Sequence, residues 1–367
     1  MSAGVSPGVS PGVSPGVTLA ATLAARIRAS GPMSLADYMA ECLTHPTLGY
    51  YTTRDPLGAK GDFTTAPEIS QMFGELVGLA LAQGWRDQGG GKITLAELGP
   101  GRGTLMADAL RATRAVPGFH DALRLHMVEA SLPLRESQCK ALAGFELTHH
   151  DSVATLPDAP LLLVANEFFD ALPIRQFVRE AGHWRERVVG LEDDTLAFGL
   201  SGPVEVPDLA HRRDVPDGGL VEICPATPAI MGEIEARIVA HGGAALIVDY
   251  GGWRSRGDTL QALKGHAFDP PLAHPGQADL TAHVDFEALA RAAPGLTASR
   301  LTPQGVFLER LGISPRAQSL ARGLTGAALD AHAAAHRRLT HPSEMGNLFK
   351  VLGFTRAHGP MLPGLDT

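Results

Sequence analysis

Short apolar segments recur along the middle of the chain and are separated by longer amphipathic stretches. These apolar segments are predicted to be strands. They lie at the start of Ile93–Leu105 and within Leu125–Ala130, Phe145–Asp151, Leu161–Ala165 and Ala244–Asp249. The last two are almost wholly apolar, which is typical of strands buried on both faces of a parallel sheet. Apolar strands that alternate with helical stretches predict a doubly wound α/β fold, with its ligand at the carboxyl ends of the strands.

The pattern before the first strand is helical. Apolar residues recur every four positions from Leu19 to Ile27, and a sequence typical of a helix capping box begins at Ser34. A long polar loop follows over residues 45–65, and loops of this length are often functional. We therefore expect residues 18–92 to form an N-terminal helical cover that carries a functional loop.

The α/β alternation lapses between residues 177 and 225. Gln176–Gly190 and Thr195–Leu200 alternate in the manner of a β-hairpin, so a β-rich insertion is predicted there. Asn347–Arg356 is predicted to supply a final strand, so that the sheet ends in an antiparallel pair. Residues 93–367 are thus expected to form one α/β domain that carries this insertion.

Composition restricts the classes of function. The 367 residues are 44% hydrophobic, which is ample for a core, and a net charge of −8 without a basic block argues against a nucleic-acid partner. The three cysteines are widely spaced, so they suggest neither a disulfide framework nor a metal site, and a reducing compartment is favoured. No apolar run reaches about 18 residues, so no membrane span is expected.

Residues 1–17 repeat Gly-Val-Ser-Pro and are expected to be a disordered tail. The tail has neither the basic start nor the apolar region of a secretory signal. We therefore predict a bacterial cytoplasmic location, with the mitochondrial matrix as a minor alternative. A homodimer is kept as a hypothesis.

A glycine-rich turn follows the first predicted strand. Gly99, Gly101 and Gly103 form a G-x-G-x-G pattern, and Glu97 lies two residues before the first glycine. The dinucleotide-binding pattern fails here because its third glycine position holds Thr104. A carboxylate before a glycine turn suits a cationic amino-acid headgroup, and S-adenosylmethionine has such a headgroup. The alternative is an ordinary tight turn in an α/β domain.

The next two predicted strands end in polar residues. Glu129 ends the second strand, where its carboxylate can accept hydrogen bonds from both hydroxyls of a ribose. Asp151 and Ser152 follow the third strand, where they are predicted to lie beside an adenine. A solvated glutamate at a strand end is the alternative interpretation of Glu129.

The fourth apolar run ends in Asn166–Pro173, a segment rich in polar and aromatic residues. A methyl acceptor would lie here beside the cofactor, with Asn166 as a candidate residue for both the cofactor site and catalysis, and Glu167 with Asp170 could hold a guanidinium in a carboxylate clamp. Those carboxylates would localise the charge of the guanidinium and receive its proton. Alternatively, Asn166 and Asp170 cap a helix and Glu167 has a structural role.

Several other side chains are candidates for the substrate site. Residues 32–75 are interpreted as a cover over the cofactor, and the residues predicted to close the acceptor channel are Tyr50, Tyr51, Asp62, Phe63 and Glu68, together with Phe168. His283 could assist proton removal, although a structural, hydrogen-bonded histidine is the alternative.

The combined motifs resemble the mitochondrial dysfunction protein A family of class I methyltransferases. The matching segments are Tyr38-Met39, His45–Tyr51, Gly61–Phe63, Pro67–Ser70, Glu97–Leu105, Asn166–Pro173, Val248–Gly251 and Asp279–Phe286. They span roughly residues 30 to 355 in the family's order. One small departure is Ala66, where the family's pattern has serine or a similar residue.

The resemblance implies a Rossmann-like class I methyltransferase fold and S-adenosylmethionine as the cofactor. It further implies methylation of a protein arginine, with a core subunit of respiratory complex I as the substrate and complex I assembly as the process served. Two alternatives stay open at this stage. One is a methyltransferase that acts on a lysine or a small metabolite, and the other is a non-catalytic assembly chaperone that keeps the cofactor site.

Overall fold

The computed structural model describes residues 18–53 and 64–367. The helices are α1 (Leu19–Ser30), α2 (Leu35–Thr44), α3 (Tyr50–Thr53), α4 (Ala66–Ile69), α5 (Gln71–Asp87), α6 (Thr104–Thr113), α7 (Phe119–Ala122), α8 (Leu132–Ala141), α9 (Thr227–His241), α10 (Phe286–Arg291), α11 (Gln304–Arg310), α12 (Ile313–Ala321), α13 (Ala327–Thr340) and α14 (Met345–Leu348). The strands are β1 (Met33–Ser34), β2 (Ile93–Leu98), β3 (Leu123–Val128), β4 (Leu147–His150), β5 (Leu161–Asn166), β6 (Arg175–Glu180), β7 (His183–Glu192), β8 (Thr195–Val204), β9 (Leu220–Ile223), β10 (Gly243–Gly252), β11 (Gln261–Lys264), β12 (Ala267–Asp269), β13 (Asp279–Thr281), β14 (Val284–Asp285), β15 (Leu296–Ala298), β16 (Thr302–Pro303) and β17 (Phe349–Arg356).

The central sheet has the strand order β15-β17-β10-β5-β2-β3-β4, with β14 beside β10 and β16 beside β17. Strands β10, β5, β2, β3 and β4 pair in parallel, whereas β17 runs antiparallel to β10. The chain leaves β2 toward β3 and β4, then returns to β5 on the other side of β2. This reversal of strand order opens a crevice at the carboxyl ends of β2 and β5, where ligands bind in open α/β sheets. The predicted doubly wound fold is confirmed.

Both faces of the sheet are covered, which explains the continuous apolar runs. All six residues of β5 are buried. Leu162 and Val164 join the core on the side of α5 and α6, whereas Leu163 and Ala165 join the core on the side of α9 and α10. Successive side chains of a strand point to opposite faces, so a strand between two helical layers must be apolar at every position.

A second sheet, in the order β1-β7-β6-β9 with β8 beside β7, corresponds to the predicted β-rich insertion. Helices α1 and α2 pack their apolar faces on it through Leu23, Leu35 and Met39, which share a core with Val189 and Ile174. The Ser34 hydroxyl accepts a hydrogen bond from the Asp37 N–H at 3.0 Å, so the predicted cap is present.

Helix α5 lies within the predicted cover, but it packs on the central sheet through Met72, Phe73 and Val77. The proposed division of the chain into domains stays a prediction. The expected tail over residues 1–17 lies outside the described residues.

In the C-terminal region, helices α12, α13 and α14 precede the final antiparallel strand, β17, which is the strand predicted over Asn347–Arg356. A three-stranded sheet, β12-β11-β13, was not predicted. In the described ranges, no helix is both long and apolar enough to cross a membrane. All three cysteines are free.

Candidate active site

The glycine turn connects β2 to α6. Gly99, Gly101 and Gly103 have φ angles of +60°, +53° and +83°, a region that residues with a Cβ rarely adopt. A Cβ built on Gly99 would lie 2.9 Å from Cδ2 of Phe168, so a side chain at that position would also collide with the loop after β5. The turn therefore requires glycine both for its backbone and for close packing.

Glu97 lies at the end of β2 with only 3% of its surface exposed. Its Oε2 atom is buried and has no hydrogen-bond partner in the described parts of the chain. Burial, and then the charge of Glu129, raises the pKa of Glu97 to about 8. An unpaired buried carboxyl is unfavourable, and a cationic ligand group would satisfy it.

Glu129 follows β3, and its Oε1 atom accepts a hydrogen bond from the Ser131 N–H at 2.8 Å. Burial raises the pKa of Glu129. Asp151 and Ser152 follow β4 at the same edge of the sheet. Asp151 forms an ion pair with Arg135, and the Ser152 hydroxyl accepts a hydrogen bond from the Ala154 N–H at 3.3 Å.

Asn166 ends β5, which lies on the other side of β2 from β3 and β4, and Glu167 follows it at the same edge of the sheet. Glu167 has a φ of +51°, which is strained for a residue with a side chain. Its Oε1 atom accepts hydrogen bonds from the Ala66 N–H at 2.9 Å and from Nδ2 of Asn166 at 3.1 Å. Burial is the largest cause that raises the pKa of Glu167 to about 8, and the Asp170 charge adds to it.

These side chains surround one cavity of about 640 Å³, here called the main cavity. Its size lies within the range of small-molecule sites. Of the predicted residues it is lined by Glu97, Gly99, Gly101, Thr104, Glu129, Asp151, Ser152, Asn166, Glu167, Phe168, Tyr51 and Glu68. The structure thus brings together residues from six separate segments of the sequence.

Other predicted site residues lie elsewhere. Gly103 is the N-cap of α6, and Tyr50 is fully buried beside Tyr51, so neither lines the main cavity. Asp62 and Phe63 lie outside the described residues.

The position of Asp170 also differs from the one that the predicted guanidinium clamp requires. Its side chain is buried, it does not line the main cavity, and its Oδ1 atom has no hydrogen-bond partner among the described residues. Burial raises the pKa of Asp170 to about 6. The turn after Glu167 separates the two carboxylates, because it leaves Glu167 in the cavity wall and Asp170 inside the protein.

His283 lies in a second cavity, the rear cavity, which has a volume of about 280 Å³ and is also lined by Phe169 and Arg212. The His283 ring packs edge-on against Tyr250, and its backbone N–H donates to the Thr259 hydroxyl at 2.8 Å. The structure therefore does not bring His283 into the main cavity, and its contacts favour the structural interpretation.

Some contacts at the site were not predicted. Nε2 of Gln138 donates to the carbonyl oxygen of Gly101 at 2.7 Å and supports the glycine turn from α8. The Thr104 hydroxyl donates to Oε1 of Glu68 at 2.5 Å and joins α6 to α4. Such contacts link segments far apart in sequence, so no local pattern could have indicated them.

The main cavity fits S-adenosylmethionine. Glu97 offers the amino group a buried carboxyl oxygen, Oε2, that has no partner among the described residues, and the glycine turn lets backbone approach the ligand. Glu129 would hold the ribose, and Ser152 and Val153 line the end expected to hold the adenine. The sheet and this cavity together define a class I S-adenosylmethionine-dependent methyltransferase.

Comparisons with known proteins agree. Residues 76–304 match the family described as "Putative S-adenosyl-L-methionine-dependent methyltransferase", and the chain belongs to this family. A Mus musculus protein named protein arginine methyltransferase NDUFAF7, mitochondrial, is 37% identical over 91% of this chain and 84% of its own length. A Drosophila melanogaster homologue of that name is 34% identical over 93% of this chain and 84% of its own length.

A solved structure is also similar. It is a COG1565 superfamily member from Burkholderia thailandensis, bound to S-adenosyl-homocysteine, with a TM-score of 0.80 and 29% identity. The match covers 94% of each chain. The cofactor predicted from the glycine turn is therefore confirmed as S-adenosylmethionine.

Cofactor binding is expected to release a proton from Glu97. With its pKa raised to about 8, Glu97 is mostly neutral at pH 7 in the free protein, and a cationic amino group favours its ionised form. S-adenosylhomocysteine binding at pH 7 should therefore release roughly one proton per site and tighten as pH rises toward 8. Calorimetry in buffers of different ionisation enthalpy measures this release. The Glu97→Gln variant should not show it, and equal release by that variant would assign the proton to another group.

Proposed function

We propose that this protein transfers the methyl group of S-adenosylmethionine to an arginine side chain of a protein substrate. The observation that carries the proposal is the acidic lining of the main cavity, where the carboxyl groups of Glu68, Glu97, Glu129, Asp151 and Glu167 outnumber the arginine, Arg102. A cationic acceptor beside a cationic cofactor requires such an excess of carboxylates. Relatives 34–37% identical to this chain are named protein arginine methyltransferases, which supports arginine as the acceptor.

Glu167 is the carboxylate best suited to the acceptor. A guanidinium has a pKa above about 12 and is a poor nucleophile. The Glu167 carboxylate would accept hydrogen bonds from the guanidinium, localise its charge on one nitrogen and leave the other more nucleophilic. S-adenosylmethionine, when bound, supplies the methyl group as a sulfonium. As the nitrogen–carbon bond forms and the carbon–sulfur bond breaks, Glu167 takes the nitrogen's proton.

The remaining catalysis would come from orientation of the acceptor. Tyr51, Thr52 and Phe168 line the main cavity and are the candidates for this role, and the Phe168 ring lies against Gly99 of the glycine turn. The roles of Asn166, Asp170, His283, Tyr50, Asp62 and Phe63 in the reaction stay predictions.

The acceptor we propose is a core subunit of respiratory complex I, which the resemblance of the sequence motifs implies. The proposed location is the bacterial cytoplasm, with the mitochondrial matrix as the alternative. The relatives that are named mitochondrial support the alternative, and the similar structure from Burkholderia thailandensis shows only that bacteria also have proteins of this kind. A homodimer also stays a prediction, which light scattering of the purified protein would test.

The test is transfer of labelled methyl from S-adenosylmethionine to an extract of cells that lack this gene, followed by mass spectrometry. We expect one protein to be labelled on arginine. Label found only on lysine or only on small molecules would show that the acceptor is not a protein arginine. Absence of label, with tight cofactor binding and unassembled substrate present, would favour the chaperone alternative.

A further inference from the structure

A fully buried carboxylate lies behind the loop that carries Glu167. Asp249 is at the carboxyl end of β10 with no exposed surface, and it does not line the main cavity. Its Oδ2 atom accepts hydrogen bonds from the N–H groups of Phe169 at 3.1 Å and Asp170 at 3.3 Å. Its Oδ1 atom accepts one from its neighbour, Tyr250, at 2.9 Å. This one side chain therefore binds two consecutive N–H groups of the loop after β5.

Asp249 comes directly after the point where the pairing between β5 and β10 ends. The parallel ladder of β5 and β10 stops at the pair Asn166 and Val248, and the N–H of Glu167 donates to the Val248 carbonyl at 2.9 Å. Glu167 then takes a φ of +51° and the chain turns away from the sheet. The Asp249 carboxylate replaces the missing strand partner for the N–H groups that follow, and so it holds the turn in a conformation that Glu167 alone disfavours.

The same turn fixes two groups of the main cavity. The Glu167 carboxylate faces the Ala66 N–H, and the Phe168 ring lies against Gly99, so closely that a Cβ there would be 2.9 Å away. On the buried side, the Asp170 carbonyl accepts a hydrogen bond from the Ala282 N–H at 3.0 Å. A shift of the turn would therefore displace Glu167 and Phe168 together.

We propose that Asp249 is a positioning residue for methyl transfer: its carboxylate holds the turn that places Glu167 and Phe168 against the acceptor. This inference rests on the proposed function, because it gives Glu167 the acceptor. Asp249 itself touches neither the cofactor part nor the acceptor part of the main cavity. The proposal also gives a function to the Val-Asp-Tyr-Gly motif at residues 248–251, whose residues do not line the main cavity.

Asp249→Ala should lower methyl transfer to protein by about 100-fold, because misplacing a reacting group by about 1 Å has effects of this size. S-adenosylhomocysteine should bind within about threefold of wild type, since Glu97 and the glycine turn are unchanged. Asp249→Asn can keep the two hydrogen bonds to Phe169 and Asp170 through its amide oxygen, so it should recover much of the activity. The control is Glu75→Gln, which removes another buried carboxylate. Glu75 is paired with Arg111 and Arg316 away from the main cavity, so this variant shows how much activity is lost through reduced stability alone.

A double-mutant cycle separates positioning from stability. If Asp249 acts mainly through Glu167, adding Asp249→Ala to Glu167→Ala should lower the rate far less than the loss of about 100-fold expected in the wild-type background, because only the placement of Phe168 is then affected. Equal losses in both backgrounds would overturn the positioning role. A Glu167→Ala variant with full activity would instead contradict the proposed function of Glu167.

Hydrogen exchange tests the contact without any substrate. The amides of Phe169 and Asp170 should exchange at least tenfold faster in Asp249→Ala, while those of β5 stay protected. Unchanged exchange at these two amides would show that the carboxylate does not hold the turn, and would overturn the inference even if the variant lost activity. Should Asp249→Ala fail to fold, the Asn variant is the test: exchange and activity that are retained or lost together support the proposal, and normal activity with faster exchange contradicts it.

Discussion

Glu167→Ala is expected to lower methyl transfer to the protein substrate by about 10²- to 10⁴-fold, the usual contribution of a positioned acid–base group. S-adenosylhomocysteine should still bind within about threefold, because Glu97, Glu129 and the glycine turn remain. Methyl transfer should fall because the Glu167 carboxyl lies directly after β5 in the wall of the main cavity, where it can hold the guanidinium and take its proton. Labelled methyl transfer and calorimetry on the same preparation measure the two effects.

The dependence of the rate on pH provides a second measurement of Glu167. Burial raises its pKa to about 8, so the carboxylate needed for catalysis is lost as pH falls below that value. At saturating S-adenosylmethionine, where the pH dependence of cofactor binding through Glu97 no longer limits the rate, wild-type transfer should rise with pH and level off above about 8, whereas Glu167→Gln should lack this rise. The double variant Glu167→Ala with Asp170→Ala should also keep cofactor affinity and lose transfer. Retained activity in either alanine variant would rule out a carboxylate-assisted acceptor site.

The central sheet could be predicted because a strand buried on both faces needs apolar residues at consecutive positions, and this run is visible in the sequence. Leu161–Asn166 is apolar at nearly every position since helices cover both faces of β5, and the run is short enough to be a strand. By contrast, β1 has two residues and pairs with Val188 and Val189, more than 150 positions away along the chain. In the three-stranded sheet β12-β11-β13, β11 and β12 form a local hairpin, but the strands have only three or four residues and β11 pairs with β13 from a later segment, a contact that no local pattern encodes.

The residues of the candidate site also fall into a group that the sequence could predict and a group that it could not. The rule that parallel strands present their carboxyl ends at one edge brought Glu97, Glu129 and Glu167 together correctly. The rule gives the edge but not the direction of each side chain in the loop beyond it. Asp170 lies only three residues after Glu167, yet the turn between them directs it into the interior. Its role as half of a clamp could not be judged before that turn was known.

Gly101→Val is expected to abolish detectable binding of S-adenosylhomocysteine, a loss of at least about 100-fold. Gly101 has a φ of +53°, and a β-branched residue at such an angle is a severe outlier. Its carbonyl accepts the Gln138 hydrogen bond at 2.7 Å, so relaxing the backbone would also break this support. The valine side chain would in addition occupy the surface where backbone meets the ligand. Calorimetry with S-adenosylhomocysteine measures the loss.

A matched variant separates backbone strain from loss of the site. Gly265 has a φ of +59° in the turn between β11 and β12, and a Cβ there would meet no atom within 4 Å. Gly265→Val should therefore destabilise the protein by a similar strain of about 1–2 kcal/mol and leave cofactor affinity unchanged. If Gly101→Val bound the ligand as tightly as wild type, the glycine turn would not be the cofactor site. If both variants lost binding equally, the effect would be one of stability, because Gly265 lies outside the main cavity.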